Sequence, residues 1–232
     1  MKKSHAAVAV SIALTAVLLT PLAANATDNP VVSPTAQNTL KAFWTEWGVP
    51  AATQDALIAK ANSGQKLDVL DGSAPVGERT VTSGDTTTTV ETYADGSIGV
   101  IAVGPVVQAA GRIQPMTAGS TSCHKTSGTA TSNTYKCAVS MDIGWIAMSY
   151  NASYTNYAAQ PARINSVSSQ MSWTCVGACT VTHQPHIVRT VDTPSASALA
   201  QADLNFNILG WASGNEWLRF SVHNGAASAS YN

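Results

Sequence analysis

The tightest group of residues in this chain that could do chemistry is His183-Gln184-Pro185-His186, two imidazoles three positions apart and the first place to look for a metal ion. In a strand, side chains at i and i+3 point to opposite faces, and Pro185 argues against a helix. The next potential ligand along the chain is Asp192, whereas even a catalytic zinc takes three protein ligands. The expectation is that the pair holds no metal. A glycosidase needs two carboxyl groups at a fixed separation, and residues 112–232 offer only Asp142, Asp192, Asp203 and Glu216. Their spacing singles out no pair, so no catalytic residue is assigned and no cofactor is expected.

Ser122-Cys123-His124-Lys125 contains S-x-x-K, and Lys125-Thr126-Ser127 begins a second fragment of the kind found in penicillin-recognising enzymes. In those enzymes the motifs sit on separate elements that converge. Here they overlap in one stretch between cysteines, and G-x-S-x-G and H-E-x-x-H are both absent.

Binding is easier to place than catalysis. Trp217, Arg219 and His223 alternate along one strand and so share a face, and Tyr150 and Tyr154 share a face of another. A flat ring can cover the apolar side of a sugar or peptide while polar neighbours bond its hydroxyls or amides. These five residues are the candidate binding face. Trp145, Trp173 and Trp211 are assigned to packing by their bulk and mixed neighbours.

The four cysteines, Cys123, Cys137, Cys175 and Cys179, all lie in the second half. Three pairings are open, and Cys123 with Cys137 and Cys175 with Cys179 is favoured because each pair brackets one polar loop. Closing a loop of about 15 residues contributes on the order of 3 kcal/mol in the chain-entropy account. A four-thiolate zinc site would want C-x₂-C spacing, which neither pair has.

These groups must be positioned by elements that the periodicity outlines. Ser33 can cap a helix with Pro34 in its first turn, and Leu40, Phe43, Trp44 and Trp47 form its apolar stripe, which reads as core. Gly48 can end it, and Pro50 opens a second helix running to Asn62-Ser63-Gly64. Thr86 to Tyr93 and Ser97 to Val103 read as a β-hairpin about Asp95-Gly96. Residues 105–121, rich in Gly and Pro, read as a connector. Beyond them come strand-like runs at 136–142, 145–154, 164–174, 186–191, 204–211 and 216–223. The last alternates with Leu218, Phe220 and Val222 on one face, before Asn224-Gly225 turns the chain.

The first 26 residues read as a secretory signal peptide: Lys2 and Lys3, an apolar run from Ala6 to Leu19, then Ala24-Asn25-Ala26 at the cleavage site. The run is shorter than the ~20 residues a bilayer core requires, so no membrane association is expected once the leader is removed. Only 11% of residues are charged, and the cations are scattered singly, which excludes a nucleic-acid surface.

Trp47-Gly48-Val49-Pro50-Ala51-Ala52-Thr53-Gln54-Asp55-Ala56-Leu57-Ile58-Ala59-Lys60, followed by Tyr93-Ala94-Asp95-Gly96-Ser97, resembles a segment of uncharacterised secreted proteins of actinobacteria, whose second halves are likewise β-rich and Cys-containing. The resemblance implies an extracellular, Gram-positive setting and carries over no catalytic residue. The expected fold is α+β: a signal peptide at 1–26, an N-terminal module at 27–111 with a helical hairpin and a β-hairpin, and a disulfide-containing antiparallel β-sandwich at 112–232. The expected role is non-enzymatic recognition of envelope polysaccharide or of another extracellular protein. An extracellular hydrolase using a carboxylate pair and a self-associating matrix protein are the alternatives.

Overall fold

The computed structural model describes residues 32–104, 120–121 and 123–232. The expected leader, most of the connector with the expected 111/112 boundary, and Ser122 of the S-x-x-K motif lie outside the described residues. Two helices, α1 (Pro34–Glu46) and α2 (Ala51–Asn62), precede the strands. The strands are β1 (Gly77–Thr92), β2 (Ile98–Gly104), β3 (Ser120–Thr121), β4 (His124–Gly128), β5 (Ser132–Asp142) and β6 (Ile146–Tyr157). They continue as β7 (Arg163–Val167), β8 (Ser172–Cys175), β9 (Ala178–Arg189), β10 (Ala198–Ile208), β11 (Ala212–His223) and β12 (Ala226–Tyr231).

Two sheets result. The first runs β3-β1-β2-β5-β6-β7, with β4 also on β5 and β8 also on β6, and the second runs β12-β11-β10-β9. Among the described strands every pairing is antiparallel except the short one between β1 and β3. The fold is thus α+β, with an antiparallel two-sheet sandwich after the helical pair. Because β2 pairs with β5, the N-terminal hairpin and the Cys-containing half share one sheet, and a single hydrophobic cluster runs from Val32 to Val222.

The sandwich interior follows the period-2 rule. Leu218, Phe220 and Val222 of β11 are fully buried and face the first sheet, where Tyr154 lies against Phe220. On β10 the inward positions are Ala198, Ala200 and Ala202, all at zero exposure. Their small side chains leave room for Tyr150, whose hydroxyl donates to the carbonyl oxygens of Ala200 (3.2 Å) and Leu218 (3.4 Å). That run of small residues lacks a strand signature, which is why β10 begins well before the expected Leu204.

The helical hairpin covers one end of the sandwich. Ser33 Oγ accepts from the Ala36 amide, and Leu40, Phe43 and Trp44 are buried, as the helical stripe implies. Gly144, at φ +80° in the turn between β5 and β6, lies so close that a Cβ there would meet Phe43 and Leu40. The turn between β1 and β2 is tied to α2: Lys60 Nζ donates to Asp68 (2.7 Å) and Asp95 (2.8 Å). Asp95 also accepts from the amide and hydroxyl of Ser97 and from the Asp68 amide. With Asp95 engaged in this way, the connection spans residues 93–97 and is not a two-residue turn.

Both favoured disulfides are present, Cys123–Cys137 and Cys175–Cys179. The second joins β8 of the first sheet to β9 of the second, holding the crossover between layers. The expected strand at 164–174 is two strands, β7 and β8, broken where Ser168 Oγ bonds the Gln170 carbonyl. Trp173, assigned above to packing, is 40% exposed: β8 is a four-residue edge strand with no neighbour beyond it. Trp145 is buried edge-on against the partly buried Trp211. No described helix is long and apolar enough to cross a membrane.

Candidate functional site

The outward face of the second sheet carries the densest set of polar and aromatic side chains in register. Directly opposed residues on neighbouring strands point to the same side, so the pairings give the rows of this face. One row is His183, Asp203 and Trp217, and the next is His186, Gln201, Arg219 and Ser230. Toward the capped end they are followed by Thr180, Asn205 and Asn215. The inward side chains of the same strands fill the core, which leaves this face to solvent.

Its centre is a stack. The Arg219 guanidinium carbon lies 3.9 Å from the centroid of the Trp217 ring, a cation–π contact. Arg219 Nε donates to Gln201 Oε1 (2.6 Å), and Gln201 Nε2 donates to Asp203 Oδ1 (2.6 Å). A cation and a carboxylate are therefore joined through one amide. Asp203 is 7% exposed among the surrounding side chains, with His183 Nδ1 3.5 Å from its Oδ2. Beside them Asn215 donates to Asn205 (3.1 Å) and Thr182 (3.4 Å), and the Trp217 amide donates to Asn232 (2.8 Å). Fixed amides and hydroxyls around a flat ring can bond the edge of a ligand while the ring covers its apolar face.

Of the five candidate binding residues, the structure brings together Trp217 and Arg219. His223 is on the same strand face but at its far end, where Nδ1 lies 2.9 Å from Asp192 Oδ1, and Asn224 N donates to Oδ2 (2.8 Å). Tyr150 and Tyr154 are a correction: at 4% and 5% exposure they belong to the interior. Period-2 spacing does put them on one face, but that face looks into the sandwich. Tyr154 stacks on Tyr135 at 5.0 Å, and burial lifts its phenol to about 12.

The histidine pair is a second correction. Gln201 pairs with His186 and Asp203 with His183, so two steps on β10 oppose three on β9. The bulge at Gln184-Pro185 puts both imidazoles on the outward face, with ring centroids 5.8 Å apart. Pro185 sits where a proline is tolerated, on an edge strand at a bulge. Pro185, one residue before the expected run at 186–191, falls inside β9. Among the described residues no three His, Cys, Asp or Glu side chains converge to hold a metal.

The four carboxyl groups weighed for hydrolysis go to different places. Asp203 is opposite Trp217, while Asp192 is bound at His223, six residues along β11 or roughly 20 Å away at the rise of a strand. That exceeds any glycosidase separation. Asp142 accepts from the Gly144 amide (2.7 Å) in the turn under the helices, and burial pushes it up to about 6. Glu216 points inward, is 3% exposed, has no partner for Oε2 among the described residues, and is raised by burial to about 8. Near it the hydroxyls of Tyr93 (3.0 Å) and Tyr231 (2.8 Å) both donate to Glu91 Oε2. Gly99 has no side chain because Tyr231 passes where one would stand. This cluster links the last strand to the first hairpin inside the protein.

The sandwich end opposite the helices is open. A groove of 610 Å³ lies there, lined by Asn156, Tyr157, Gln160, Asp192, Thr193 and Asn224 among others. Sequence reasoning missed it, because its walls come from three turns distant in the chain. Asn224 (φ +49°) and Gly225 (φ +77°) form one of them, the two-residue hairpin turn that Asn-Gly favours. In comparisons with known proteins, the chain matches no protein-family model, no curated protein and no solved structure.

Proposed function

We propose that this protein is a secreted, non-enzymatic recognition module that binds envelope polysaccharide on the outward face of its second sheet. The observation that carries the reading is the Trp217–Arg219 stack, set on the solvent side of the sheet among Gln201, Asn205, Asn215 and Asp203. A saccharide offers the matching chemistry: an apolar ring face for the indole and a rim of hydroxyls for amides, guanidinium and carboxylate. Export is part of the proposal. It is supported by the expected leader at 1–26 and by the pairing of all four cysteines in disulfides, which persist in an oxidising compartment. The actinobacterial resemblance makes cell-wall glycan the first ligand class to test.

The test is co-sedimentation of the mature protein with cell-wall sacculi stripped of protein, and with the released wall polysaccharide, beside Trp217→Ala. The expected result is retention of the parent and at least a tenfold loss for the variant at an unchanged melting temperature. Equal retention of both on every glycan would remove this face as a glycan site.

A further inference from the structure

We infer that His183 and His186 form a two-imidazole site for a divalent late first-row transition metal, copper or zinc, with solvent completing its shell. The inference is independent of the glycan reading. Three observations support it. The β9 bulge sets both rings on one solvent-facing patch, and the His183 side chain is 68% exposed. The centroids stand 5.8 Å apart; two imidazoles that each place a nitrogen ~2.0–2.1 Å from a shared ion bring their centroids to roughly 5–6 Å. Finally, the His186 ring is oriented from behind. His186 Nδ1 lies 3.0 Å from the Gln184 carbonyl oxygen, which can only accept, so the neutral ring carries its proton on Nδ1 and keeps the Nε2 lone pair. His183 Nδ1 lies 3.5 Å from the Asp203 carboxylate.

A carbonyl or carboxylate behind each imidazole is the arrangement that fixes tautomer and ring direction in metal sites. Asp203 has a second anchor in Gln201, and through it Arg219, so the carboxylate is held before any ion arrives. Imidazole nitrogen suits copper and zinc, with copper(II) the tighter by the usual order of divalent affinities. Two protein ligands on a solvent-open sheet imply reversible binding.

The intact protein is titrated with CuCl₂ and separately with ZnCl₂, followed by calorimetry and, for copper, by the nitrogen hyperfine pattern of its electron paramagnetic resonance. One equivalent of copper is expected to bind, with imidazole nitrogen splitting. His183→Ala and His186→Ala each weaken it at least tenfold, and His124→Ala on β4 leaves it unchanged. Asp203→Asn, with the rings intact, is expected to weaken it by about tenfold, the size of effect seen when a group behind a ligand is changed. Both histidine variants retain the parent's far-ultraviolet circular dichroism, since both rings stand on the surface. The inference is overturned if the double variant His183→Ala/His186→Ala binds copper as the parent does, or if the parent shows no imidazole splitting.

Discussion

The two ends of the sandwich are built differently. At one end the helical hairpin lies over the turns: Trp44, Leu40 and Leu57 are buried, Lys60 is shared by Asp68 and Asp95, and Asp142 is half-buried beneath the helices. At the other end three turns leave a groove, and its main polar contact joins the exposed His223 ring to the buried Asp192 carboxylate. Apolar burial and charged hydrogen bonds at the first end hold the fold together, so the second end is free to stay open.

Truncating the cap should produce the largest effect. Trp44→Ala is expected to lose about 3–5 kcal/mol in urea unfolding, the range for deleting a buried aromatic, and a loss below ~1 kcal/mol would show that the helices are not integral to the core.

Glu216, buried close to Tyr93, should come next. Its pKa rises from 4.5 to about 8 on folding, so its contribution to stability is full below about pH 4.5 and is lost as pH climbs through about 8. Stability should therefore decline across that interval by on the order of 2–4 kcal/mol. Glu216→Gln should flatten the decline; an unchanged pH profile in the variant would assign the slope to another group.

Asp95 has the opposite sign. Burial alone would raise it, but Lys60 and the hydrogen bonds from Ser97 and Asp68 outweigh burial and hold it below the usual carboxylate range. Its contribution is present above the unfolded value of 3.8 and disappears as pH falls through the lowered folded value. Asp95→Ala should cost about 2 kcal/mol at neutral pH, the scale of lost hydrogen bonds to a charged group, and much less in strong acid. A cost that persists undiminished at acid pH would show that the turn is held by its backbone alone.

The smallest effect is expected at the open end. His223→Ala should lower stability by about 1 kcal/mol, the scale of one hydrogen bond, since the Asn224 amide still bonds the Asp192 carboxylate, and a loss as large as that of Trp44→Ala would erase the contrast between the ends.

The two aromatic stripes show how far the sequence could be read. Tyr150/Tyr154 and Trp217/Arg219 have the same alternation, and in each case it identified residues that share a face. Alternation cannot say which face is inside. That is decided by whether another layer covers it: the tyrosines meet the small alanines of β10 and Phe220, while Trp217 lies under Arg219 and stays partly exposed. The histidine pair failed for a related reason, since spacing of i and i+3 predicts opposite faces only in a regular strand, and the bulge at Pro185 is not regular.

Sequence alone determined the elements whose causes are local: the Ser33 cap and apolar stripe of α1, the Asn224-Gly225 turn, the alternation of β11, and cysteine pairs close enough in the chain to close small loops. Tertiary structure decided what depends on groups far apart in sequence. It joined β2 to β5 so that both halves share a sheet, turned the tyrosines inward and Trp217 outward, and set His183 opposite Asp203 and His186 opposite Gln201 on one face. Turn chemistry and periodicity act over a few residues, whereas burial and register are set by whichever distant strand lies opposite.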